Sequence, residues 1–134
     1  MLDTNVLSEL LRPGAERRVV AFIEEQTDPI VSVAVFHELT YGVELLPAGT
    51  KKARLSAGIE TFRRRFRDRT IAIDAEIAEI SGRLRAGETR SGFALKPIDA
   101  LIAASTIVAS ARLATRNTKD FERLEIELVN PWTH

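Results

Sequence analysis

The chain has 134 residues, the length of one domain of ordinary size, and 45% of them are apolar, enough for a core and too many for a disordered chain. Nineteen basic residues balance nineteen acidic ones, which argues against a polycation that coats nucleic acid and leaves room only for a local basic patch. The absence of cysteine excludes a disulfide scaffold, a thiolate zinc site and a cysteine nucleophile.

That usage suits a reducing cytoplasm. Two histidines, His37 and His134, are too few for a histidine-rich metal site. No secretory signal is expected, because Asp3 is followed by no apolar run. The longest apolar run, 100–104, is far short of the roughly 20 residues that span a bilayer.

Residues 1–3 read as the end of a strand and 4–11 as a helix that Arg12, Pro13 and Gly14 stop. A second helix is expected over 16–26, with Val19, Phe22 and Ile23 on one face. Residues 30–33 form a short β-branched run suited to a buried strand. Helices follow over 35–46, closed by Pro47, and over 50–67. Residues 70–73 read as a strand. Asp74 is placed to cap a helix over 75–86 whose Ile77, Ile80 and Leu84 recur at helical spacing. Residues 87–96 read as a polar loop, and Pro97 opens a helix to about Ser110. Strands over 113–115 and 126–129 flank a short turn at 119–123. Strands alternating with helices predict parallel pairing with right-handed crossovers. Such sheets bind ligands beyond the carboxyl ends of their strands.

Three carboxylates stand where apolar side chains would be expected. Asp3 follows the first strand, where the plainer alternative is a helix cap. Glu38 falls on one helical row with Val35, Gly42 and Leu45, on the face that also holds Leu39 and Leu46. A carboxylate there needs a cation or strong donors, unless it lies at the edge of that face. Asp99 is the only charge in the apolar helix from Pro97, where the alternative is a first-turn acid favoured by the helix dipole. A polar cluster, Arg116 to Asp120, follows the strand at 113–115. In a doubly wound sheet these points can converge on one crevice. Oxygen ligands without thiolates suit Mg²⁺ or Mn²⁺. Such ions activate water and stabilise a leaving oxygen in phosphodiester cleavage.

The ordered pieces L-D-T-N-V-L-S-E-L-L (2–11), H-E-L-T-Y-G-V (37–43), P-I-D-A-L-I-A-A-S (97–105), A-T-R-N-T-K-D-F (114–121) and N-P-W (130–132) resemble the PIN-domain family. Within it they are most similar to the VapC- and FitB-like toxins of bacterial toxin–antitoxin pairs. The resemblance implies a three-layer α/β fold with a five-stranded parallel sheet in the order 3-2-1-4-5. It also implies a magnesium-dependent endoribonuclease. Asp3, Glu38 and Asp99 match the acidic metal-binding positions, Asn5 the asparagine that orders the site, and Thr115 a hydroxyl residue there. The position commonly held by a fourth acid reads Asn117, and Asp120, three residues on, is the expected substitute. The family carries two or three more apolar residues before Asp3, so a short first strand is expected.

Arginines 63, 64, 65, 67 and 69 form a dense run interleaved with Phe62 and Phe66. A solvated helix end accounts for them slightly better than phosphate contact, and the two phenylalanines are expected in the core or a dimer. Arg12, Arg17, Arg18, Lys51, Lys52 and Arg116 are further candidates for binding RNA phosphates. The resemblance implies a homodimer and a silencing antitoxin that itself binds operator DNA. The antitoxin is expected to push a basic side chain into the acidic crevice. His37 projects about 100° away from Glu38 and receives no chemical role. The alternatives are a DNA-directed or structure-specific nuclease, a non-catalytic module disabled at Asn117, and an aspartyl phosphotransferase. Asn5 argues against the last, which would carry a second aspartate there.

Overall fold

Every strand pairing in this protein is parallel, as the alternation of β-branched runs and helices requires. The computed structural model describes residues 1–134. Strand β1 (Val31–Ser32) pairs with β2 (Thr70–Ile71), and β3 (Leu113–Ala114) pairs with β4 (Leu128–Val129). Between the two pairs lies Leu2, which forms isolated parallel bridges to Val31 and to Ala114. Its N–H donates to Ile30 O at 2.8 Å, and on the other side Ala114 N donates to Met1 O at 2.8 Å. The expected strands at 30–33, 70–73 and 126–129 are thus each reduced to two paired residues. For the first, the reason is local. The Ser32 hydroxyl accepts from Ala34 N and caps the next helix, so the chain leaves the sheet at Val33.

Six α-helices surround the strands: α1 (Thr4–Leu10), α2 (Arg17–Glu25), α3 (Val33–Glu44), α4 (Thr50–Arg65), α5 (Ala75–Arg90) and α6 (Pro97–Val108). Pro97 occupies the first turn of α6, and Asp74 caps α5 by accepting from Ile77 N. Helix α5 continues through Gly87 into the expected loop. The stop comes at Gly92, in a left-handed conformation with φ 83°. Gly92 N donates to Thr89 O and Phe93 N to Glu88 O, the paired bonds of a Schellman motif. Helix α6 closes in the same way at Ser110, with φ 49° and with Ala111 N donating to Thr106 O.

Helix α6 packs along α5 and against α3, α3 against α4, and α1 against α2 and α3. The largest fully buried side chains include Leu7, Val35, Phe66, Ile102, Leu113 and Phe121, so both strand pairs and most helices share one core. Phe62 and Phe66 lie in it, ring edges against faces, as their spacing predicts. Helix α6 is buried along its middle, but Ile107 and Val108 in its last turn are exposed. No helix is long and apolar enough to cross a membrane.

Candidate active site

Asp3 leaves Leu2 at the point where the chain turns into α1, and it is only 4% exposed. The helix-cap reading accounts for one of its oxygens. Oδ1 accepts from Thr4 N at 2.7 Å, while Oδ2 accepts from Asn5 Nδ2 at 2.6 Å and from the Thr115 hydroxyl at 2.7 Å. Thr115 follows β3, so the second oxygen reaches across to the other side of Leu2. The rest of the network keeps that reach rigid. Asn5 Nδ2 also donates to Thr115 Oγ1 (3.1 Å), Arg116 N donates to Asn5 Oδ1 (3.1 Å), and Asn117 N donates to Thr115 Oγ1 (3.0 Å). Burial is the main influence on the Asp3 carboxyl and pushes it above the usual carboxylate range. The charge of Glu38 adds to the rise, and the hydrogen bonds from Thr115, Thr4 and Asn5 oppose it.

Glu38 rises from α3. It is half-buried, at the margin of the apolar face and not inside it. Of its helical row, Val35 is buried, whereas Gly42 and Leu45 are exposed, Leu45 by 68%. Gly42, one turn on, leaves space beside Glu38, since a Cβ there would meet nothing within 4 Å. That space belongs to a groove of about 300 Å³ between α1, α3 and α4, lined by Thr4, Ser8, Glu38, Gly42, Lys51 and Leu55 among others. The Thr4 hydroxyl donates to Glu38 Oε2.

Asp99 sits in the first turn of α6, where the helix dipole favours an acid, as the alternative reading expects. Burial pushes its carboxyl up to about 6. The negative charges of Asp3, Glu38 and Asp120 push the same way, and Lys96 pulls it back. The four acids therefore share one electrostatic neighbourhood, although they come from the end of the first strand, from α3, from α6 and from the 3-10 turn Thr118–Asp120. None of them is in an ion pair. No three of the chain's acidic or histidine side chains stand close enough together to hold a metal ion as they are. Four like charges repel, and Asp3 and Glu38 each turn to neutral donors instead. As a donor set these groups still fit a hard divalent cation: all are oxygen ligands, and two have raised carboxyls that a positive charge would relieve.

The basic candidates separate. Arg12 pairs with the buried Glu9 (3.1 Å) and Lys52 with Glu44 (2.9 Å). Lys51 lines the groove beside Glu38, and Arg116, next to Thr115, lies over the Trp132 ring at 5.3 Å. In the arginine run, Arg63 pairs with Glu60 and Arg69 with Asp28. Arg63, Arg64 and Arg67 line a separate hollow of about 280 Å³ with Phe36. Thr4 and Lys96 are the residues near the acids that reading the sequence missed. Thr4 stood between two assigned residues, and only its fold neighbour Glu38 gives it a part.

The family model described as PIN domain matches residues 1–127. The toxin FitB of Neisseria gonorrhoeae is 35% identical over 135 aligned residues, which cover 98% of this chain and 97% of that protein. The VapC ribonuclease Y4jK of Sinorhizobium fredii is 30% identical over 135 residues, covering 98% and 96%. The crystal structure of FitAcB from Neisseria gonorrhoeae superposes with a TM-score of 0.88 at 34% identity, covering 99% of this chain and 98% of that one. Likeness of this kind, in sequence and in fold along almost the whole length, makes the chain a member of the PIN domain family.

Proposed function

We propose that this protein is a divalent-metal-dependent endoribonuclease that acts in the cytoplasm as the toxin of a toxin–antitoxin pair. The observation that carries the reading is that Thr4 touches both Asp3 and Glu38, that Asp99 feels the charges of Asp3, Glu38 and Asp120, and that none of the four acids is ion-paired. The similarity to a VapC ribonuclease and to the toxin FitB supports the class of reaction and the cellular role.

Asp3, Glu38 and Asp99 would hold Mg²⁺ or Mn²⁺, with Asp120 and Asn117 at the edge of the same site. When bound, such an ion supplies activated water and charge for the leaving oxygen. Asn5 and Thr115 fix the direction in which Asp3 presents its remaining lone pairs. Lys51, which lines the groove with Glu38, and Arg116, whose backbone N–H donates to Asn5, would hold the phosphates of a single-stranded or looped RNA. Leu2 is read as the centre of a continuous sheet in the order 3-2-1-4-5, with its bridges to Val31 and Ala114 joining the two pairs. That order would put Asp3 at the switch point where open α/β sheets bind ligands.

An antitoxin would be a partner that covers the groove beside Glu38 and offers a basic side chain to the unpaired acids. With zero net charge, the chain would reach operator DNA only through that partner. A homodimer belongs to the same proposal, and the exposed Tyr41 on α3, Leu45 just beyond its end, and Ile107 and Val108 on α6 are surface available to it. The test is induction in a host lacking the antitoxin, followed by mapping of RNA 5′ ends. Wild type should give discrete new ends and growth arrest, and Asp99→Asn should give neither. New ends at undiminished level from Asp99→Asn would defeat the reading.

A further inference from the structure

We infer that Thr4 is a positioning residue, one that sets Glu38 in register with Asp3 so that the two carboxylates act on one cation. The inference rests on the metal-dependent reading above and adds to it a residue that reading does not use.

The geometry is that of a two-sided tether. Thr4 N donates to Asp3 Oδ1 at 2.7 Å, and the hydroxyl of the same residue donates to Glu38 Oε2. One residue thus touches both carboxylates, and the second contact spans 34 residues of chain, from the start of α1 to the middle of α3. Glu38 has no ion pair to hold it. A glutamate has three side-chain torsions to fix, and a free one carries substantial rotamer entropy that binding an ion must overcome. The Thr4 hydroxyl removes part of that freedom beforehand. Thr4 is itself well held: it opens α1, it is half-buried, and its N–H is fixed by the Asp3 cap. Hydrogen-bonded supports of metal ligands act in this way, and losing one typically costs about 10–100-fold in metal affinity.

The opposite role would have Thr4 park Glu38 away from the ion. The direction of the affinity change separates the two. The experiment is Mn²⁺ binding to the full chain by calorimetry, in the absence of RNA, with thermal melts of every variant. Wild type, Thr4→Val, Thr4→Ser, Glu38→Ala and the double variant Thr4→Val/Glu38→Ala are compared. Thr4→Ala takes the place of the valine variant should that one melt below the working temperature.

Thr4→Val should weaken Mn²⁺ by about 10–100-fold. Thr4→Ser, which keeps the hydroxyl, should bind as wild type. With Glu38 already removed, Thr4→Val should cost nothing further. The inference is overturned by unchanged or tighter binding in Thr4→Val, by a serine variant as weak as the valine one, or by a full valine effect in the Glu38→Ala background. The failures remain distinguishable. If wild type binds no Mn²⁺, or Glu38→Ala binds it as well as wild type, the metal reading of Glu38 falls and takes this inference with it. If Glu38→Ala weakens binding and Thr4→Val does not, only the role of Thr4 is lost.

Discussion

The Thr115 hydroxyl donates to Asp3 Oδ2 at 2.7 Å across 112 residues of chain, and its oxygen accepts from Asn5 Nδ2 and Asn117 N. One buried hydroxyl therefore serves the most buried acid and two of its neighbours. Thr115→Val keeps the shape and strips all three contacts. Leaving such groups unpaired costs about 1–3 kcal/mol. Urea unfolding should show a loss of that size, with Thr115→Ser close to wild type. A valine variant as stable as wild type would mean that the network carries no net stability.

Asp99 makes the protein's stability fall with rising pH. Its carboxyl is pushed up to about 6, above the 3.8 of an ordinary aspartate. Between those values the folded state holds the proton and the unfolded state does not, so each step up in pH costs stability. The cost is complete above about pH 6 and absent below about pH 4. Asp99→Asn removes it. The variant should melt higher than wild type at pH 8, and the gap should close toward pH 4. Nuclease activity should be lost in the same variant. Equal melting temperatures at pH 8 would show that the acids do not strain the fold.

Asp120 contributes to the rise at Asp99, whereas Asn117 engages through its backbone, its N–H donating to Thr115 Oγ1 and its carbonyl accepting from Asp120 N. Asp120→Ala should lose most RNA cleavage, and Asn117→Asp should keep or raise it. Initial rates on one RNA at saturating Mg²⁺ decide the matter, and normal turnover in Asp120→Ala would remove that residue from the site.

The salt dependence of RNA binding should sort the basic residues as the structure does. Lys51→Ala and Arg116→Ala should each flatten the slope of log K against log salt by close to one phosphate contact, about 0.7 for a single strand. Arg12→Ala should leave the slope unchanged, because Arg12 is paired with Glu9. A slope change confined to Arg12→Ala would reverse the assignment. An inactive Asp99→Asn background keeps the RNA intact during the titration.

The order of helices and strands was legible in the sequence because each boundary has a local cause. Pro97, Asp74 and the Pro13–Gly14 stop are such causes. The end of α5 was misread because a glycine ends a helix only where the backbone needs a positive φ. Gly92 meets that condition, and Gly87 lies within the helix. For Glu38, helical projection gives direction but not depth, so burial and an edge position both stayed open, and the edge position is the one found, because the depth depends on how α1, α3 and α4 meet. Asp3, Glu38 and Asp99 stood out as acids in apolar company, and the charges of Asp3 and Glu38 add to the rise at Asp99, although no three acids stand close enough together to hold a metal ion as they are. The hydroxyls of Thr4 and Thr115 are a different matter. Residues of this type cap turns all along a chain, and only distant partners, Glu38 for one and Asp3 for the other, distinguish these two.

Leu2 is a single rung between two parallel pairs, and Asp3 is its neighbour. Glu38 belongs to the side of the molecule that β1 anchors, and Thr115 and Asp120 to the side that β3 anchors. If that rung frays, the helices can persist while the acids drift apart. Warming should thus disarm the protein some degrees before it melts, and amide exchange at Leu2 and Asp3 would be the early sign.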